Sequence, residues 1–458
     1  MSRADAIAGA AAYFDSGAFL ADLRRRVAFR TESQIPDERP ELRAYLEQEM
    51  VPAARRLGAE AVVLDSPVAG TGPIMIARRH EGDDLPTVLT YGHADVVLAE
   101  PDKWRAGLDP WQVTVEQDRW YGRGTADNKG QHTINLAAAE QVLRARGRLG
   151  FNLTVMIETG EEDGSPGLRE FCAQHRDELA ADVLIASDGP RVAATRPTVF
   201  LGSRGAAGFT LRVALRERSF HSGNWGGLLR NPATVLAAAL ASIVDQRGTI
   251  LVPGLRPPPI PDDVRDSLRI VPVGGGADDP DIDDGWGEPG LTPAERVIGW
   301  NTLEVLSLAA GNPTTPIGAI PGSAHAHCQL RFVVGTDIDN LAAILRDHLD
   351  RHGFGMVDVE QGIVMRATRM DQHDPWVRLA LASLERTSGS PATLLPNLGG
   401  SLPNDAFAEE LGMCTVWIPH SYPACAQHAP NEHLLAPLAR ESLLLMAGLF
   451  WDVGIPST

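Results

Sequence analysis

The sequence predicts an α/β domain, a sheet covered by helices, interrupted by an α+β insert. Three observations predict it. Short apolar runs alternate with amphipathic stretches in the first part of the chain, strict two-residue alternation begins near residue 208, and the apolar-run pattern returns near residue 370. The division that follows is a discontinuous domain over residues 1–208 and 370–458, with an insert over residues 209–369.

A helical opening is expected around residues 18–57. Residues 86–91, 153–157, 182–186 and 413–418 are the clearest apolar runs after it. Each is too short for a core helix and too apolar for an edge strand, so buried strands are expected. A helix over residues 131–146 follows the cluster 122–130. In the insert, Phe209, Leu211, Val213 and Leu215 alternate with Thr210, Arg212, Ala214 and Arg216, the period of a half-buried strand. Asn231 followed by Pro232 is a helix start, reaching about Asp245, and Thr292 with Pro293 repeats it. Residues 329–334 return to strand, so the insert reads as helices on one face of an antiparallel sheet.

Composition narrows the function. The 458 residues carry 59 Asp plus Glu against 41 Lys plus Arg, and a net charge of −18 repels nucleic acid and anionic membranes. No apolar run approaches the ~18 residues that span a bilayer, and residues 1–14 lack a secretory pattern. Cys172, Cys328, Cys414 and Cys425 are scattered, without CxxC spacing, and read as reduced thiols of a cytoplasmic protein. The run 274–290, with Asp278, Asp279, Asp281, Asp283 and Asp284, lacks the spacing of a calcium loop and reads as a solvated surface loop.

The chemistry gathers beyond the strand ends. Run 86–91 leads into His93 and Asp95, run 153–157 into Glu161, Glu162 and Asp163, run 182–186 into Asp188, and run 413–418, after a longer loop, into His428. Ligands of open α/β sheets bind at carboxyl strand ends, so the four clusters are expected to converge there, joined by Asp127 ahead of its helix. Singly, each has an ordinary reading as a capped turn or a solvated loop. Together, two histidines and several carboxylates form a mixed nitrogen and oxygen set suited to zinc and tolerant of manganese or cobalt. Adjacent glutamates let one carboxylate bind metal while its neighbour moves protons.

The motifs Tyr91-Gly92-His93-Ala94-Asp95-Val96, Tyr121 to Gly130, Glu161-Glu162-Asp163-Gly164-Ser165, Ser187-Asp188, Phe220 to Gly227, Gly399-Gly400-Ser401-Leu402-Pro403 and His428 to Glu432 occur in order over most of the chain. The set resembles the M20 metallopeptidase family, in its carnosine dipeptidase and aminoacylase-like branch. That resemblance implies a zinc-peptidase-like mixed sheet flanked by helices, with the insert as a lid and dimerisation domain. It also implies two zinc ions per subunit. Asp127 would bridge them, His93 and Asp188 would complete one site, and Glu162 and His428 the other, with Asp95 behind the His93 ring.

The resemblance further implies a cis peptide between Asp127 and Asn128, and Glu161 as the general base. It implies that His221 acts across a homodimer interface on the tetrahedral oxyanion. Arg331 would grip a substrate carboxylate beside the Gly399, Gly400 and Ser401 loop. The implied activity is a dipeptidase acting on a small peptide with a free carboxylate. The alternatives are an N-acyl amino acid deacylase and, more remotely, a non-catalytic metal-containing dimeric binding protein. Asp188, where other branches use glutamate, points to the dipeptidase and aminoacylase side. The run 274–290 and the loop 420–427 match no substrate signature.

Overall fold

The computed structural model describes residues 2–36, 39–274 and 280–455, and two sheets organise it. The larger has eight strands in the order Glu60–Leu64, Ile74–Arg79, Asn152–Glu158, Thr87–His93, Val183–Ala186, Cys414–Trp417, Thr198–Phe200 and Thr393–Leu395. The four strands from Asn152–Glu158 to Cys414–Trp417 run parallel and side by side, and their residues are almost all buried. These are the four apolar runs of the sequence. Parallel strands are covered on both faces, which is why their sequences are apolar throughout and do not alternate. Shared direction also puts all four carboxyl ends at one edge of the sheet.

Helices Arg3–Asp15, Lys129–Arg146, Pro375–Ser388 and Ala436–Val453 pack into one layer over one face. Leu168 and Phe171 of helix Leu168–Gln174 pack over the other face with Phe407, Tyr91 and Trp417. Helix Ala436–Val453 is buried on nearly every side, so its sequence carries no amphipathic period to reveal it.

The helical opening differs from expectation. It starts at Arg3, where Ser2 and Asp5 form a capping box, turns at Gly17, and breaks after helix Ala18–Val27. The helical path resumes at Arg39–Tyr45 and continues to Val51–Arg56. The interruption has a structural cause: its polar groups brace the loop that follows His93 and the start of helix Lys129–Arg146. Thr31 Oγ1 donates to the Ala94 carbonyl at 2.6 Å, Glu32 accepts from the Ala99 amide at 2.7 Å, and the Phe29 carbonyl accepts from Lys129 Nζ at 2.8 Å.

The smaller sheet is antiparallel, ordered Thr302–Ala310, Ser323–Phe332, Gly205–Ala214, Val357–Met365, with helices Pro232–Ile243 and Leu341–Arg351 against one face. Asn231 caps the first helix by accepting from the Ala233 amide at 2.9 Å. That helix stops at Ile243, short of Asp245, because Val244 is extended and bridges to Ile250. Thr292 and Glu295 form a capping box, but the helix they open runs only from Pro293 to Ile298. Along Ser323–Phe332, His325 and His327 face solvent, and Gln329 and Arg331 reach the large cavity described below. No helix among the described residues is long and apolar enough to cross a membrane.

Of the acidic run, Asp281, Asp283 and Asp284 are exposed, while Asp278 and Asp279 lie outside the described residues. Pro280 and Ile282 of this run nonetheless form part of the cavity wall, a placement the sequence reading did not anticipate.

Candidate metal centre

Strand Thr87–His93 delivers His93 to the carboxyl edge of the sheet, fully buried. Its Nε2 lies 2.9 Å from Asp127 Oδ1 and 3.6 Å from Asp188 Oδ2. The other oxygen, Asp127 Oδ2, lies 3.0 Å from His428 Nε2, which is in turn 3.1 Å from Glu162 Oε2. Two three-residue groups result, His93 with Asp127 and Asp188, and Asp127 with Glu162 and His428. Within each, the candidate ligand atoms lie within 4.8 Å of one another. Asp127 belongs to both and presents one oxygen to each histidine.

The loop carrying Asp127 is shaped by local chemistry. Gly124 turns the chain at φ 84°, and a Cβ on Gly130 would meet the Thr125 carbonyl oxygen at 2.0 Å, so the chain packs too tightly for a side chain there. The Asp127–Asn128 peptide is cis. Behind the loop, the fully buried Glu432 accepts from the amides of Gly124, Ala126 and Asp127 at 2.9, 2.8 and 3.0 Å, and from Arg123 Nη1 at 2.9 Å. Pairing of His433–Leu435 with Arg119–Tyr121 brings this carboxylate and His428 beside the loop. In the sequence Glu432 stands out only as the end of the His428 motif. A buried carboxylate with four donors is a structural clamp on the Asp127 backbone.

Asp95 performs two contacts. Its backbone carbonyl lies 3.1 Å and its carboxylate 3.4 Å from His93 Nδ1, and that carboxylate accepts from the amides of Glu161 and Glu162 at 3.2 and 3.0 Å. One buried side chain thereby ties the His93 ring to the turn Glu161–Asp163. Glu161 lines the cavity next to both groups but belongs to neither.

The electrostatics fit divalent cations. Burial pushes Glu162 up to about 7, with Asp127 adding to the effect, and Asp188 up to about 6 for the same two reasons. Burial also lifts Glu161 well above the ordinary carboxylate range, against the pull of His93. Burial works against the charged form of His93, yet its bonds to Asp127 and Asp95 and the charge of Asp188 raise it well above the usual imidazole value. Bonds to Asp127 and Glu162 raise His428 to about 11. Four carboxylates crowd beside the buried His93 ring and the more exposed His428 ring, and bound cations would reverse these shifts by supplying the missing positive charge.

A cavity of about 1100 Å³ opens from this centre. Arg331, Gly399, Gly400 and Ser401 line it, and Arg331 Nη1 donates to Ser401 Oγ at 2.7 Å. His221 is not in its wall: it is exposed on the two-residue strand Phe220–His221, its Nδ1 accepting from the Gly223 amide at 3.1 Å. Two residues of the loop 420–427 join the site without a sequence signature: Gln427 donates to Asp127 Oδ2, and Tyr422 lines the cavity. The loop's proximity to the His428 motif is the available signal.

Two donor groups sharing one aspartate at the carboxyl edge of the sheet, with a second, antiparallel sheet beside them, are the arrangement of a metal-dependent α/β hydrolase. The chain belongs to Peptidase family M20/M25/M40, whose family model it matches over residues 89–449. Among curated relatives it is 34% identical over 251 residues to the Beta-Ala-His dipeptidase of Mus musculus, covering 52% of this chain and 50% of that protein. It is 28% identical over 351 residues to the Cysteinylglycine-S-conjugate dipeptidase of Corynebacterium striatum, 74% of each. The match thus spans about half the length of the mouse protein. Among solved structures, human carnosine dipeptidase 1 superposes with a TM-score of 0.81 at 23% identity over 98% of both chains. The M20 family metallo-carboxypeptidase of Sulfolobus solfataricus gives 0.83 at 22% identity over 95% of this chain and 99% of that one. These likenesses place the fold.

Proposed function

We propose that this protein is a dinuclear metal-dependent dipeptidase that cleaves the amide bond of a small substrate bearing a free carboxylate. The reading rests on one observation above the others: Asp127 shares its two oxygens between His93 with Asp188 and Glu162 with His428, with Glu161 beside them. The ligand roles are His93, Asp127 and Asp188 for one ion and Asp127, Glu162 and His428 for the other. The donor set favours zinc, with manganese or cobalt as substitutes. When bound, such ions polarise the scissile carbonyl and acidify water. Glu161 removes the proton from the attacking water and delivers it to the departing amine nitrogen. Arg331 and the Gly399, Gly400 and Ser401 loop hold the substrate carboxylate. Dipeptidase names among the relatives support this substrate class. Residues 1–208 and 370–458 act as the catalytic domain and residues 209–369 as lid and dimerisation domain. The four free cysteines suit a cytoplasmic setting.

The working unit is a homodimer in which the partner's His221 stabilises the oxyanion. Trp225, Leu228 and Ile317, near His221 in sequence or across the small strand pair from it, are 44%, 76% and 74% exposed, an apolar surface suited to burial against a second copy. Subunit mixing checks this. His221→Ala and Glu161→Gln variants, each inactive alone, should recover about a quarter of wild-type activity when dissociated and reassociated together, since half the dimers are mixed and each holds one intact site. No recovery from mixed dimers would refute action across the interface.

A second reading, N-acyl amino acid deacylation, draws on the apolar part of the cavity wall, which includes Val273, Ile282, Val297 and Leu398. A panel of dipeptides and N-acyl amino acids, run with the metal-loaded protein, separates the two. Dipeptide turnover exceeding deacylation by about ten-fold or more in kcat/KM is the expected result. The reverse order would replace the dipeptidase reading with the deacylase.

A further inference from the structure

Arg204 lies between the two sheets and is 7% exposed. Its backbone amide donates to the Leu398 carbonyl at 3.0 Å and its Nε to the Gly399 carbonyl at 2.7 Å. Its Nη1 lies 3.2 Å from the Trp300 carbonyl and 3.4 Å from Thr302 Oγ1. Thr302 and Ala206 are the two residues that flank Arg331 in the sheet register. The Arg331 guanidinium is therefore near enough to act on Arg204 through its charge, as is Glu304, and neither arginine forms an ion pair among the described residues. Every other deeply buried arginine named here has a carboxylate: Arg123 has Glu432 and Arg191 has Glu441. In a chain with 18 surplus negative charges, a buried cation and a half-buried one left together without a carboxylate call for an anion from outside. Burial and the charge of Arg331 push Arg204 down to about 10, the direction expected of a cation that lacks compensation.

The contact with Gly399 has a geometric effect. In a trans peptide the carbonyl and the following N–H point in opposite directions. Pulling the Gly399 oxygen toward Arg204 turns the Gly400 N–H away from it. The amides of Gly399, Gly400 and Ser401 find no acceptor among the described residues, whereas the next, Leu402, donates to Ser203 Oγ at 3.2 Å. Free consecutive amides in a cavity wall are a backbone receptor for an anion.

We propose that Arg204 is a positioning residue for carboxylate recognition: it clamps the Gly399 carbonyl so that the free Gly400 amide points away from it, and its unpaired charge reinforces Arg331. This rests on the reading of Arg331 and the glycine loop as the carboxylate grip, and the experiment separates the two. Arg204→Gln, Arg204→Lys and Arg331→Gln are compared with wild type on the dipeptide turned over fastest in the panel and on its C-terminal amide.

Arg204→Gln should raise KM for the free acid by about ten-fold or more while kcat changes less than about three-fold, with KM for the amide unchanged. Arg204→Lys, which keeps the charge and loses the fork, should fall between, and it carries the test alone if the glutamine variant does not fold. Equal changes in KM for acid and amide, or a fall in kcat at constant KM, would overturn the role of Arg204. If Arg331→Gln discriminates acid from amide and the Arg204 variants do not, this inference fails and the carboxylate grip stands. If Arg331→Gln does not discriminate either, the grip itself fails.

Discussion

Glu161→Gln should lower kcat by about 10²–10⁴-fold while leaving bound metal unchanged and KM within about three-fold of wild type. The separation follows from position. Glu161 belongs to neither ligand group, so its side chain can lose its basicity without removing a donor from either. Its amide, which donates to Asp95 at 3.2 Å, is kept in the variant, so the turn that also aims Glu162 stays in place. Glutamine matches the shape of glutamate and cannot accept a proton at neutral pH. Metal content by elemental analysis, alongside steady-state kinetics, reads both halves of the expectation. A variant with full metal and kcat within about three-fold of wild type would assign the proton transfer to another group.

Much of this site was legible in the sequence for a physical reason. Strands buried on both faces must be apolar along their length, so residues 86–91, 153–157, 182–186 and 413–418 stand out, and polar residues just past them stand at the ligand-binding edge. The fold and the family followed from that pattern and its ordered motifs, and the family match and structural likenesses agree with both. What stayed hidden had no periodic signal. Strands Thr114–Glu116 and Arg119–Tyr121 are three residues each, too short to alternate, yet pairing of the second with His433–Leu435 sets where His428 lies.

Helix Ala436–Val453 is buried all round and so has no polar face to mark its period. Gln427 and Arg204 are ordinary polar residues whose importance depends on contacts spanning 300 and 195 positions. No local pattern encodes such contacts. The break after helix Ala18–Val27 is hidden for a similar reason, since the groups it frees serve Ala94 and Ala99 in a distant loop and Lys129 at the start of a distant helix.

His221 shows a different limit. Its chemistry was singled out from a motif, but within one chain it is exposed and absent from the cavity wall. In the proposed homodimer this group comes from the partner subunit, so its role turns on an interface between two copies.

The second large effect is loss of the ions. Because both donor groups depend on Asp127, and because burial works against the charged forms of Glu161 and Glu162 beside it, the proposed mechanism needs cations to supply positive charge at this centre. The most direct measurement is to strip the protein with chelator, count residual metal, and follow dipeptide hydrolysis as zinc is returned. Activity should fall to about 1% or less and recover in full near two ions per chain. Undiminished hydrolysis of the same dipeptide by protein shown to be free of metal would contradict the account.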